Sequence, residues 1–295
     1  MDIQRCNNCP DIKTAAINGH LECLIYARKN GRLWDMWTCH YAAKNGHLDC
    51  LKYAHENGSP WNMGVCHYAA MSGHLDCLIY AHENGCPWDE WTCSSAAENG
   101  HLDCLKYAHE NGCPWNKSTC DSAAESGYLE CLEYAHKNGC PWDETTCNYA
   151  ASSGHLNCLR YAHENNCPWD EFTCVNAVIN GGYLECLKYA HENGCPWNRL
   201  TCVYAAKNDH LDCLIYAHEN GCPCEHRKLK IYSIDLDTVA TDPSNECCVC
   251  LNNNNKIQFL PCNHMCCVSC TNQLIEQNSV CPYCRRGIKD IVLIN

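Results

Sequence analysis

From residue 34 to residue 223 the apolar positions recur in one block, W-[DN]-x-x-T-C-x-x-A-A-x-x-G-H-L-x-C-L-x-Y-A-H-E-N-G-C-P. Trp34, Trp61, Trp88, Trp115, Trp142 and Trp169 stand 27 residues apart, and Trp197 follows after 28, with one residue added at Gly181-Gly182. Seven full copies fill residues 34–223, and a worn copy precedes them from Ala15-Ala16 to Asn30-Gly31. Self-similarity at a fixed period marks a repeat architecture. Each unit reads as two short helices. In one copy they run from Thr92 to Asn99 and from His101 to Asn111. Thr92 or Asp89 caps the first. Gly100 separates the two, and Gly112 followed by Pro114 ends the second. Leu102, Cys104, Leu105, Tyr107 and Ala108 occupy more than one face of the second helix, so it needs cover on both sides. Stacked copies supply that cover. The expected fold is mainly α, a helical solenoid of about eight units over residues 1–223.

The pattern stops at Cys224. Residues 224–244 have no apolar helical period and read as a linker, and residues 245–295 form a second, cysteine-rich module. The chain of 295 residues is 46% apolar and 19% charged, which argues against wholesale disorder. No stretch reaches the roughly 18 to 20 apolar residues of a membrane span, so no membrane partner is expected. The N-terminus has no apolar signal core, so nothing points to secretion. A net charge of −13 argues against nucleic acid as a partner, because phosphate binding needs clustered Lys and Arg. These features place the protein in a reducing cytoplasm.

Cysteine is the outlier, 33 residues in all. Twenty-four lie in residues 1–224 and nine in residues 247–284, spaced by different rules. The repeat cysteines fall in three phases, beside the Thr (Cys93), in the second helix (Cys104) and before the Pro (Cys113). They read as small buried hydrophobes. Same-phase cysteines of adjacent units stand about 8–10 Å apart, beyond disulfide reach, while pairing between phases stays open. A thiol-rich metal or redox buffer is a third use of these residues. Cys6 and Cys9 are half a metal site with no nearby second half. His55, His82, His109, His136, His163, His191 and His218 share one helical phase. They are expected to pack or hydrogen-bond at the helix end, where a partly positive ring suits the dipole; a metal or pH-sensing ladder is the alternative.

The second cysteine group reads Cys247-x2-Cys250-x11-Cys262-x-His264-x2-Cys267-x2-Cys270-x10-Cys281-x2-Cys284. Two residues between paired cysteines let both sulfurs reach one tetrahedral ion. Eight donors make two closed four-ligand sites, which are structural. Metal binding here is folding free energy, because about 50 residues build too small a core alone. Two structural zinc ions are the expected cofactors.

The segment AAENGHLDCLKYAHENG resembles the ankyrin repeat, matching A-A-x-x-G-H-x-x-I-V-x-L-L-x-x-x-G in spacing. The unit departs from that family in having 27 residues instead of about 33, T-C-x-x for T-P-L-H, and a projecting hairpin cut to roughly C-P-W-D-E. Short or missing fingers are therefore expected. This form of the repeat resembles those of giant DNA viruses of amoebae, and a viral origin would place the protein in the host-cell cytoplasm. The resemblance implies that the stretch between Trp and Ala-Ala lines a concave binding face. Trp37, Tyr41, Trp91, Tyr149, Phe172 and Tyr204 are the aromatic anchors expected there for an unknown protein substrate. Residues 1–223 hold 14 Lys and Arg against 27 Asp and Glu, so a partner with a basic patch would be steered toward them.

The order of the eight donors resembles the RING domain. That resemblance implies a cross-braced assignment. Cys247, Cys250, Cys267 and Cys270 hold one zinc, and Cys262, His264, Cys281 and Cys284 the other. RING domains typically act as ubiquitin ligases, holding a ubiquitin-loaded conjugating enzyme so that a substrate lysine attacks the thioester without a covalent intermediate on the ligase. By the same resemblance Val249, Leu274, Pro282 and Tyr283 form the apolar patch for the conjugating enzyme. Arg285 is the linchpin bridging enzyme and ubiquitin. Leu274 stands where the family often has Trp. FLPCNHMCC and CPYCRRGIKDIV are similar to RINGs of the Neuralized, Mind bomb and inhibitor-of-apoptosis type, which often dimerise through a C-terminal tail strand. Ile288, Ile291 and Leu293 would serve such a homodimer, or a simple buried strand. The expected protein is a ligase whose repeats recruit substrate; the alternative is a non-catalytic scaffold with a structural or dimerising RING.

Overall fold

A computed structural model describes residues 11–223 in full and, beyond them, the backbone pairing of four strands. The chain divides into two compact units, residues 1–150 with 155–168, and residues 151–154 with 169–295. In the first unit, α1 (Ile12–Ile17) pairs with α2 (Leu21–Lys29), α3 (Met36–Lys44) with α4 (Leu48–Glu56) and α5 (Gly64–Met71) with α6 (Leu75–Glu83). α7 (Glu90–Glu98) pairs with α8 (Leu102–Glu110), and α9 (Lys117–Ser126) with α10 (Leu129–Lys137). Most of α11 (Glu144–Ser152) and all of α12 (Leu156–Glu164) complete that unit. The second unit holds α13 (Glu171–Ile179), α14 (Leu184–Glu192), α15 (Arg199–Lys207) and α16 (Leu211–Glu219). No strand occurs in residues 11–223, so the repeats there carry no finger.

Helix ends follow from single side chains. α7 starts two residues earlier than its Thr suggests, because Asp89 is the cap: its Oδ1 accepts the Trp91 N–H at 3.2 Å. Asp35, Asn116 and Asp170 cap α3, α9 and α13 in the same way. Thr92 lies inside the helix, fully buried. Gly100 ends the first helix of its repeat with φ +73°, a left-handed conformation that favours glycine. It has a second reason to be glycine: a Cβ there would run into the Tyr128 ring of the next repeat. Gly112, at φ +83°, has open space where its Cβ would be.

Packing repeats with the sequence. Leu51, Leu78, Leu105, Leu132 and Leu159 are fully buried, as are the paired alanines of each first helix, such as Ala96 and Ala97. Each such leucine contributes about 1.5–3 kcal/mol by leaving water. Of the residues expected to be covered on the second helix, Cys104, Leu105 and Ala108 are fully buried along one stripe, while Leu102 and Tyr107 are half-buried on its flanks.

The described repeat cysteines are buried and, Cys202 apart, form no disulfide. Two of their phases do more than fill space. The thiol before the Pro donates to the carbonyl of the capping residue in its own repeat: Cys86 to Asn62, Cys113 to Asp89 and Cys140 to Asn116, each at 3.2 Å. In the first described repeat Ser59 holds Asp35 the same way, at 3.3 Å. Pairing between phases, left open by the spacing, exists as hydrogen bonds. Cys66, Cys93, Cys120 and Cys174 donate to the thiols of Cys86, Cys113, Cys140 and Cys195. That donation, with burial, pushes the donors' pKa upward. Burial, reinforced by neighbouring acidic groups and thiols, pushes Cys77, Cys104 and Cys158 up to about 12. Protonated buried thiols are poor nucleophiles and poor metal ligands.

The repeated histidines pack, as expected. His82 lies flat on Trp88, with ring centroids 3.8 Å apart and planes 11° apart, and its Nδ1 faces the Tyr107 hydroxyl at 2.9 Å. His109, His136 and His191 repeat the arrangement on Trp115, Trp142 and Trp197. Burial holds His55 and His136 below the ordinary imidazole value, so the ring is neutral at pH 7.

Beyond the repeats, β1 (Ile231–Ser233), β2 (Lys256–Leu260), β3 (Met265–Cys267) and β4 (Asp290–Ile294) form one sheet in the order β1-β4-β2-β3. β4 runs antiparallel to β2, with Phe259 opposite Ile291 and Ile257 opposite Leu293, and parallel to β1, with Ile231 opposite Ile291. The stretch read as a linker thus contributes a strand. The tail is an inner strand, paired on both edges within its own chain.

Candidate functional site: the outer face of the first helices and the zinc-ligand module

Two regions carry the expected chemistry. The first is the row of residues that opens each first helix. Asp35 and Asp89 fix the starts of α3 and α7, which places Trp37 and Trp91 at the second helical position, turned outward and 48% and 62% exposed. Residue 64, midway between them in the repeat period, is Gly64 at the start of α5. A Cβ on Gly64 would strike the His40 ring and lie 3.0 Å from Asn62 Oδ1. The His40 ring packs against that bare backbone, and a slot of about 290 Å³ lies here, lined by Trp37, Met63, Tyr68, Asp89 and Trp91 among others. His40 is 5% exposed and locked in place, with Nδ1 against the Met36 carbonyl and Nε2 2.9 Å from Asn62 Oδ1. His67 Nδ1 faces the Ser95 hydroxyl at 3.2 Å.

Of the six expected anchors, the structure gathers Trp37 and Trp91 in this slot and leans Tyr41 against Trp37, with rings 6.3 Å apart. Tyr149 and Phe172 are exposed but do not line it, and Tyr204 is half-buried. Other polar residues of the row serve the fold. Asp121 is buried and accepts from Thr146 at 2.6 Å and Thr145 at 2.9 Å, and burial pushes its carboxyl upward. Lys117 pairs with Asp143 at 2.6 Å. Sequence reasoning passed over Met63, Gly64 and Tyr68. The available signal was the replacement of a bulky residue by glycine at the one variable position flanked by two tryptophans.

The second region is the cysteine-rich module. Cys247, Cys250, Cys262, His264, Cys270, Cys281 and Cys284 lie outside the described residues, as do Val249, Leu274, Pro282, Tyr283, Arg285 and Cys6 with Cys9. Cys267 falls in β3, two positions after Met265, which pairs with Gln258. Among the described residues no group of three or more His, Cys, Asp or Glu is placed to hold a metal. The donor chemistry of the module itself, seven thiols and one imidazole in closely spaced pairs, fits zinc. No described helix is long and apolar enough to cross a membrane.

Comparison with known proteins agrees with both regions. Residues 243–291 match the zinc finger of C3HC4 type (RING finger), and residues 39–82 and 120–163 match ankyrin repeats (many copies). The chain therefore carries ankyrin repeats followed by a C-terminal RING finger. It is 38% identical over 68 residues to the probable E3 ubiquitin-protein ligase LUL1 of Arabidopsis thaliana, covering 23% of this chain and 20% of that protein. It is 41% identical over 59 residues to the E3 ubiquitin-protein ligase MGRN1 of Homo sapiens, covering 20% of this chain and 11% of that protein. The chain thus spans a fifth or less of the length of these curated relatives. The crystal structure of the human ASB11 ankyrin repeat domain aligns with 54% of this chain and 85% of its own, at 18% identity and a TM-score of 0.48.

Proposed function

We propose that the protein is a RING-type ubiquitin ligase whose repeats recruit a protein substrate and whose RING holds a ubiquitin-loaded conjugating enzyme. One observation carries this reading: a complete set of eight zinc donors lies in the segment that matches the RING finger, the same type of segment shared with proteins named ubiquitin ligases. Cys247, Cys250, Cys267 and Cys270 would hold one zinc, and Cys262, His264, Cys281 and Cys284 a second. When bound, the ions brace the loops and supply no reactive position. The chain's own residues then do the work by positioning. Val249, Leu274, Pro282 and Tyr283 present an apolar patch to the conjugating enzyme. Arg285 donates from its fixed fork to carbonyls of enzyme and ubiquitin, restraining the thioester for attack by a substrate lysine. A homodimer would use a surface other than the edges of β4, since both are paired within the chain. The setting is a reducing cytoplasm, which suits repeats whose described cysteines, Cys202 apart, form no disulfide.

The test is autoubiquitination by the zinc-loaded chain with activating enzyme, a panel of conjugating enzymes, ubiquitin and ATP. Ladders are expected. Val249→Ala and Arg285→Ala should each lower the rate by about tenfold or more with zinc content unchanged, an effect of the size expected for lost positioning. Absence of ladders across a broad panel would turn the reading toward a scaffold.

A further inference from the structure

The slot between Trp37 and Trp91 has no assigned occupant. We infer that it seats a cationic side chain, arginine or lysine, from an extended segment of the partner protein that the repeats recruit. The inference rests on the proposed recruiting role of the repeats and names the chemistry recognised.

Four observations carry it. Trp37, Tyr68 and Trp91 line the slot, and an aromatic face attracts a cation through its quadrupole, tryptophan most strongly. Asp89 is the one charged residue lining the slot. Its Oδ1 accepts the Trp91 N–H at the helix start, and a carboxylate has further lone pairs to offer. The aromatic row already takes ammonium groups from the chain itself: Lys13 lies 5.0 Å from the Tyr41 ring centroid and Lys44 lies 5.6 Å from that of Tyr68. Finally, residues 1–223 carry 27 acidic against 14 basic residues, which draws a basic segment toward this face.

Glycine at residue 64 makes room for the His40 ring, which lines the slot. Its neighbours in the period, Trp37 and Trp91, are the bulkiest residues available, and a methyl group between them would press on His40. Gly64 is not among the positive-φ residues, so the ring packed against it is the distinguishing feature of the position.

The test uses the full zinc-loaded chain labelled with fluorotryptophan. The Trp37 and Trp91 fluorine resonances are assigned with Trp37→Phe and Trp91→Phe. The probes are the blocked single amino acids N-acetyl-arginine and N-acetyl-lysine methylamide, with the citrulline and norleucine counterparts as neutral isosteres. Arginine and lysine should move both resonances saturably, and the neutral isosteres should bind about 3- to 30-fold more weakly, the span of one cation–π contact. Asp89→Asn keeps a good helix cap but removes the charge, and should weaken the cations alone. Gly64→Ala should abolish the shifts, with the other tryptophan resonances in place as the sign of an intact fold. Equal shifts from citrulline and norleucine would overturn the inference in favour of a plain apolar slot, as would no shift from any probe. Ligation is read at the RING and binding at the slot, so either reading can fail while the other stands.

Discussion

Ser59 stands where later repeats carry Cys86, Cys113, Cys140 and Cys167, and its hydroxyl makes the bond that their thiols make. The position therefore selects for a small buried donor, with hydrophobicity secondary. Cys113→Ser should leave stability within about 1 kcal/mol of the native chain. Cys113→Ala removes one of the two donors to the Asp89 carbonyl, the other being the Thr92 N–H, and should cost about 0.5–1.5 kcal/mol, read as a lower urea midpoint. The composition alone pointed to small buried hydrophobes, and burial is as expected. The hydrogen bonds were not legible, because each joins residues about two dozen positions apart and only the folded repeat brings them within reach.

At the scale of the element, the glycines and histidines divide local from tertiary requirements. Gly100 and Gly112 both have positive φ, so alanine at either strains the backbone by about 1 kcal/mol. Only Gly100 also receives a ring from the next repeat. Gly100→Ala should therefore lower the thermal midpoint by at least twice as much as Gly112→Ala. The stacked histidines set a pH dependence. Burial lowers the folded-state value of His55 and His136 below the ordinary 6.5, so the unfolded chain binds more protons than the folded one in that window. Their contribution is whole above about pH 6.5 and is lost as pH falls through the depressed folded value. Urea midpoints should fall between pH 7.5 and pH 5.5, and His136→Gln should flatten part of that slope.

For the whole molecule, the two modules draw on different sources of stability. The repeats bury leucine, alanine and cysteine and have no metal-holding cluster among their described residues. The C-terminal module depends on its donor set. A strong chelator should therefore abolish ubiquitin ligation while leaving most of the helical circular dichroism of the chain in place. Loss of both signals together would mean that the repeats need the zinc module to fold.

The sequence by itself determined the period, the helix pairs, the glycine turns and the donor set of the zinc module, and left the helix cap open between Thr92 and Asp89. These depend on residues within a turn or two of one another, or on spacings that metal geometry restricts. Tertiary structure alone decided which thiols are donors, that the histidine rings lie flat on tryptophan, and that the tail strand is paired on both edges. It also decided that Trp37 and Trp91 line one slot, with the His40 ring packed on Gly64. Each of these is set by what the neighbouring repeat or a distant strand brings alongside. A 27-residue period states that two residues are equivalent, but the space and charge between them appear only when the helices are stacked.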